Sequence, residues 1–154
     1  MKQKQIISCC MVMISVLASG QWAHAVLGGN ADTIAADRKA LQAVHRATIP
    51  HNGYTVEEVV SDATAVREYV SPSGVVFGIA WNGYVHPDLA QLLGSYWSEY
   101  SAARRKAARI FGRTHQQIAT DNIVVEKWGH MRNLQGRAYV PGLVPAGVCI
   151  DEIK

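Results

Sequence analysis

The sequence predicts an α+β domain: an antiparallel sheet of about five strands packed against one long amphipathic helix, with a short N-terminal helix beside it. Three observations lead there. Short segments rich in β-forming residues alternate with turn residues, apolar residues at three- and four-residue spacing follow Pro87, and no repeat or linker separates the two kinds of segment.

The elements follow in chain order. After an exposed Leu27-Gly28-Gly29, Asp32 or Thr33 caps a first helix running to about Arg46, with Ile34, Leu41, Val44 and His45 on one side. His51-Asn52-Gly53 breaks the chain. Strands are expected over residues 54–60 and 66–70. Ser71-Pro72-Ser73-Gly74 then suits a type I turn, because proline presets φ and glycine leaves the turn freely. Residues 75–81 are apolar on both faces, which marks a central strand, and Asn82-Gly83 ends it.

Pro87 occupies a favourable first-turn position of the long helix, and Asp88 meets the positive end of its dipole. Leu89, Leu92, Leu93, Tyr96, Trp97, Tyr100, Ala103, Ala107, Ile110 and Phe111 then form one broad face as far as Gly112. Leu89, Leu93, Tyr96, Trp97 and Tyr100 are expected to meet Phe77 in a central core. A last pair of strands is expected at 122–126 and 137–140, before Pro141 and Pro145 exclude regular structure.

The first 25 residues read as a cleavable secretory leader. Lys2 and Lys4 precede a fourteen-residue apolar run, Ile6 to Ser19, and Ala23-His24-Ala25 supplies the small-x-small cleavage pattern. A membrane span needs about 20 apolar residues, so the run is too short to act as an anchor. Cleavage between Ala25 and Val26 leaves a single domain, 26–154, destined for the periplasm or for secretion, with no transmembrane segment. That domain carries thirteen Lys and Arg against twelve Asp and Glu, a balance that does not seek nucleic acid. Cys9 and Cys10 leave with the leader, so Cys149 alone remains and no internal disulfide forms. Stability must come from the core, and a chain of this size buries roughly two-thirds of its surface.

Two blocks carry a family resemblance: VREYVSPSGVVFGIAW at 66–81, and GHMRNLQGRAYVP at 129–141 followed by LVPAG at 143–147. With HPDLAQLLG at 86–94 between them, the chain resembles a family of small exported bacterial proteins known as domain of unknown function 2844. The resemblance covers most of the chain after the leader and departs most over 101–121. It implies a proteobacterial envelope protein and no particular activity.

Chemistry-bearing residues do not assemble into a recognisable catalytic site. His45, His51, His86, His115 and His130 lack H-x-x-x-H spacing, so neither a metal nor another cofactor is expected. No nucleophile-elbow serine and no nucleotide-binding glycine pattern occurs. Cys149 sits between apolar neighbours with no base to activate it.

Two polar clusters stand out. Arg104, Arg105, Lys106, Arg109 and Arg113 fall within ten residues, and Arg105, Arg109 and Arg113 share a helical face opposite the apolar one. Part of that run complements the helix dipole, and the excess suits an anionic envelope surface. The second cluster is His130, Arg132 and Arg137, held between Gly129 and the last strand for an anionic ligand or partner. On the bland reading, Arg137 lies on a solvent-facing strand and His130 is a structural hydrogen-bonder. The expected function is a non-enzymatic binding or accessory module that contacts an envelope protein or anionic surface. The alternative is a small hydrolase or metal-dependent enzyme, which clustering of His86, His115, His130 and an acid would favour.

Overall fold

The computed structural model describes residues 27–30, 44–108, 112 and 114–154. Among them, seven strands form one antiparallel sheet: β1 Val44–His51, β2 Tyr54–Val60, β3 Thr64–Val70, β4 Val76–Gly83, β5 His115–Ala119, β6 Val124–His130 and β7 Asn133–Tyr139. The order across the sheet is β1-β2-β3-β4-β7-β6-β5. Between β4 and β5 the chain crosses one face as α1 Leu89–Leu93, a 3₁₀ turn Gly94–Tyr96 and α2 Trp97–Lys106.

This architecture corrects the α+β expectation. The sheet has seven strands rather than five, and it dominates the fold. The long helix to Phe111 is instead a short broken segment ending at Lys106, where Ala107 turns extended with ψ 134°. Gly94 interrupts it with φ 48° and ψ −113°, a combination outside the helical region. Asp88 is the N-cap itself, its Oδ1 accepting from the Ala90 and Gln91 amides at 2.9 and 3.4 Å. The expected N-terminal helix falls mostly outside the described residues, and its last part, from Val44, is strand β1. Asn52-Gly53, read as a chain break, is the tight turn of the β1–β2 hairpin: His51 pairs with Tyr54, and Gly53 has φ 88°. Pro50 fits because β1 lies at the sheet edge.

A core lies on each face. On the helical face, Leu89, Leu92, Leu93 and Tyr100 pack with Val66, Ile79, Trp81, Val125 and Ala138. Tyr96 and Trp97 border this cluster and are only partly buried. Leu27, expected to be exposed, is buried here, and its amide donates to the Leu92 carbonyl at 3.0 Å. Phe77 is not in this core: it lies in the second cluster with Tyr54, Tyr69, Tyr139 and Ile153. The cause is a bulge in β4. Tyr69 pairs with Gly78 but Val70 pairs with Val76, so Phe77 is skipped in the register.

The C-terminal tail covers the second face and is strapped to the sheet. Arg137 donates to the Ile150 carbonyl at 2.9 Å and Arg67 to the Lys154 main-chain oxygen at 2.7 Å. The Tyr54 hydroxyl donates to Glu152 at 2.6 Å. Ile153, wholly buried, sits on Gly78, where an added Cβ would lie 2.9 Å from the Ile153 Cδ1.

Candidate functional site: a cleft at one end of the sheet

The strand register brings one set of connections to the same end of the sheet. Gly83 pairs with both Thr64 and Leu134, His130 pairs with Asn133, and His115 pairs with Trp128. The loop after β4, the β6–β7 turn and the start of β5 therefore lie side by side. A cleft of about 220 Å³ opens among them, and His86, Thr114, His115, Gln116, Lys127 and Trp128 are among the residues that line it.

The loop carrying His86 is held at both ends. Tyr84 donates its amide to the Ala63 carbonyl at 2.8 Å, and the Thr64 hydroxyl donates to the Val85 carbonyl at 2.8 Å. Gly83 is required at its base, since an added Cβ would lie 2.7 Å from the Thr64 Cα. Trp81, at the end of the central strand, donates its indole N–H to the His86 Nδ1 at 3.0 Å. Because Nδ1 accepts, the neutral imidazole carries its proton on Nε2. Burial, and next the nearby Lys127 charge, hold the His86 pKa below the ordinary histidine value, which favours that neutral form.

Lys127 reaches this site by strand alternation. Glu126 turns to the tail face, where it pairs with Arg137, and Lys127 turns to the helical face, its Nζ 5.8 Å from the Tyr100 ring centroid. Among the described residues no carboxylate forms an ion pair with it.

Of the six residues singled out in the sequence, Arg105, His130, Arg132 and Arg137 are among the described residues. Arg105 is exposed in the last turn of α2, and Arg109 and Arg113 lie outside the described residues. The helix that carries Arg105 ends at Lys106. His130 and Arg132 stay together, exposed on either side of Met131 at the β6–β7 turn. Arg132 holds φ 69°, an uncommon value for a residue other than glycine. Arg137 is separated from them and half-buried rather than solvent-facing, engaged by Glu126, the tail carbonyls and, at 3.7 Å, Asp151. His115 stacks on Trp128, with ring centroids 6.4 Å apart, and His51 stacks on Tyr54 at 4.7 Å. No group of three metal-ligating side chains occurs among the described residues, and Cys149 is exposed.

The cleft residues Thr114, Gln116 and Lys127 went unremarked in the sequence. The signal for Lys127 was present in the alternation of Val125, Glu126, Lys127 and Trp128, whereas Thr114 and Gln116 precede and occupy a strand with little β character.

A family model described as "Protein of unknown function (DUF2844)" matches residues 23–153, and the chain belongs to that family. No curated protein matches it. Among solved structures, a cysteine-rich secretory protein from Staphylococcus aureus is similar, with a TM-score of 0.49 and 10% identity over 81% of this chain. The alignment spans 47% of that protein, about half its length, and at this level the likeness bears on neither activity nor mechanism. Among the described residues no helix is long and apolar enough to cross a membrane.

Proposed function

We propose that this protein is exported by a cleaved leader and serves as a non-enzymatic binding module of the cell envelope. Its working surface is the end of the sheet around the cleft, and its partner is an acidic envelope protein. One observation carries the reading: Tyr84, Val85 and Met131 gather at that end while 63%, 52% and 93% exposed. Large apolar side chains grouped in water mark contact surfaces more often than chance placement. Lys127 and Arg132 beside them supply positive charge, and among the described residues no carboxylate lines the cleft, which suits a partner of opposite sign.

A photo-crosslinking residue at position 131, with one at the opposite end at 143 as control, tests this in cells. A discrete protein adduct from 131 and none from 143 is the expected result. Equal labelling from both positions, or none from either, would overturn it, and so would sedimentation with anionic vesicles that depends on Met131. For the leader, N-terminal sequencing of the periplasmic protein should begin at Val26. A full-length chain retained in the inner membrane would refute export by cleavage.

A further inference from the structure

We infer that the cleft between His86 and Lys127 is a binding site for a carboxylate group. The inference deepens the docking reading by naming the group a partner brings, but it rests on separate observations. Lys127 supplies one positive charge, half-buried, with no compensating acid among the described residues. An ammonium in that position gains from an anion more than an exposed one does, because the surrounding dielectric is lower. The tautomer of His86 is set by the Trp81 N–H at 3.0 Å, so the second ring nitrogen is left as a donor. Thr114 and Gln116 line the same cleft and add neutral donors.

The charge count selects the ligand class. One cation among neutral donors balances one negative charge, which matches a carboxylate and leaves a phosphate dianion undercompensated. Placing a second charge on His86 would require giving up the indole hydrogen bond, since a protonated imidazole has no acceptor. A cleft of about 220 Å³ has room for a short acid or the last residue of a chain. The adjoining exposed Tyr84 and Val85 give apolar surface for the carbon skeleton behind the carboxylate.

The indole N–H resonance of Trp81 in the ¹⁵N-labelled protein reports on the cleft directly, because its acceptor is His86. Acetate is titrated near neutral pH at constant ionic strength, against acetamide as the uncharged isostere and inorganic phosphate as the dianion. A saturable shift with acetate is expected, with acetamide weaker by at least about tenfold for want of a charge-assisted bond. Lys127→Gln should abolish the difference between acetate and acetamide, and Lys127→Arg should retain it. A short peptide with a free C-terminus, set against its amide, separates the two sources: tighter binding of the free acid than of acetate assigns the site to a chain end, and equal or weaker binding to a small acid. Equal shifts for acetate and acetamide, phosphate binding tenfold tighter than acetate, or a Lys127→Gln protein that still discriminates would overturn the assignment. The wild-type comparison decides even where a variant fails to fold. Because the ligands are small acids, the outcome is independent of whether a crosslinked partner is found.

Discussion

The contact between the tail and the sheet can be tested at a single methyl group. An added Cβ at Gly78 would lie 2.9 Å from the Ile153 Cδ1 but 3.5 and 3.6 Å from its Cγ2 and Cγ1. Only Cδ1 is too close, and Ile153→Val removes that atom. Alone, Ile153→Val should cost about 0.5–1.5 kcal/mol, the usual range for this deletion in a core. Gly78→Ala alone should cost about 1–3 kcal/mol from overpacking, offset in part by about 0.5–1 kcal/mol for replacing a strand glycine. In the double variant the new methyl group takes the space the old one left. Its destabilisation should fall short of the sum of the single effects by at least about 1 kcal/mol, a coupling typical of residues in contact. Urea unfolding of the four proteins measures the cycle, provided the slope is unchanged between them. Additivity within about 0.5 kcal/mol would refute the seating of Ile153 on Gly78 and with it the strapped tail.

The helical face makes a ranked prediction: Tyr100→Ala should cost about 3–5 kcal/mol because Tyr100 is wholly buried, and half-buried Trp97→Ala should cost clearly less. Equal losses by the same unfolding assay would mean α2 is rotated on the sheet. The Tyr54–Glu152 contact predicts a pH dependence. Burial, and next the Glu152 carboxylate, push the Tyr54 hydroxyl up to about 12. A group raised above its unfolded value of about 10 contributes stability below that pH and loses it as pH climbs toward 12. Wild type should therefore lose stability more steeply than Tyr54→Phe between those values, and identical slopes would count against the contact. Glu152 has the opposite sign: the Tyr54 hydroxyl, then the Cys149 amide, hold its carboxyl below the usual range. Its contribution is present above about 4.3 and fades as pH falls through the lowered folded value.

Local chemistry determined much of this protein without tertiary information. The β-rich segments at 54–60, 66–70 and 75–81 coincide with β2, β3 and β4, and the turn at Ser71 to Gly74 closes with a 2.9 Å hydrogen bond from the Gly74 amide to the Ser71 carbonyl. Family membership was legible in residues 66–81, 86–94 and 129–147. These readings succeed because alternation, proline and glycine act on the backbone within a few residues. The edge strands were not legible in the same way. β1 contains Pro50, and β5 is built from His115, Gln116 and Gln117, so what makes each a strand is its neighbour in the sheet. Helix length was misjudged because apolar spacing counts side chains and does not report where the backbone leaves the helix, as at Gly94 and Ala107. The two-faced core depended on the β4 bulge, which a pairing register reveals and a periodicity does not. The cleft lay furthest from sequence reach: His86, Gln116 and Lys127 belong to three segments, and antiparallel pairing through β7 and β6 is what sets them side by side. Hairpins and turns are local, whereas a binding site made of strand ends exists only once the whole sheet has chosen its order.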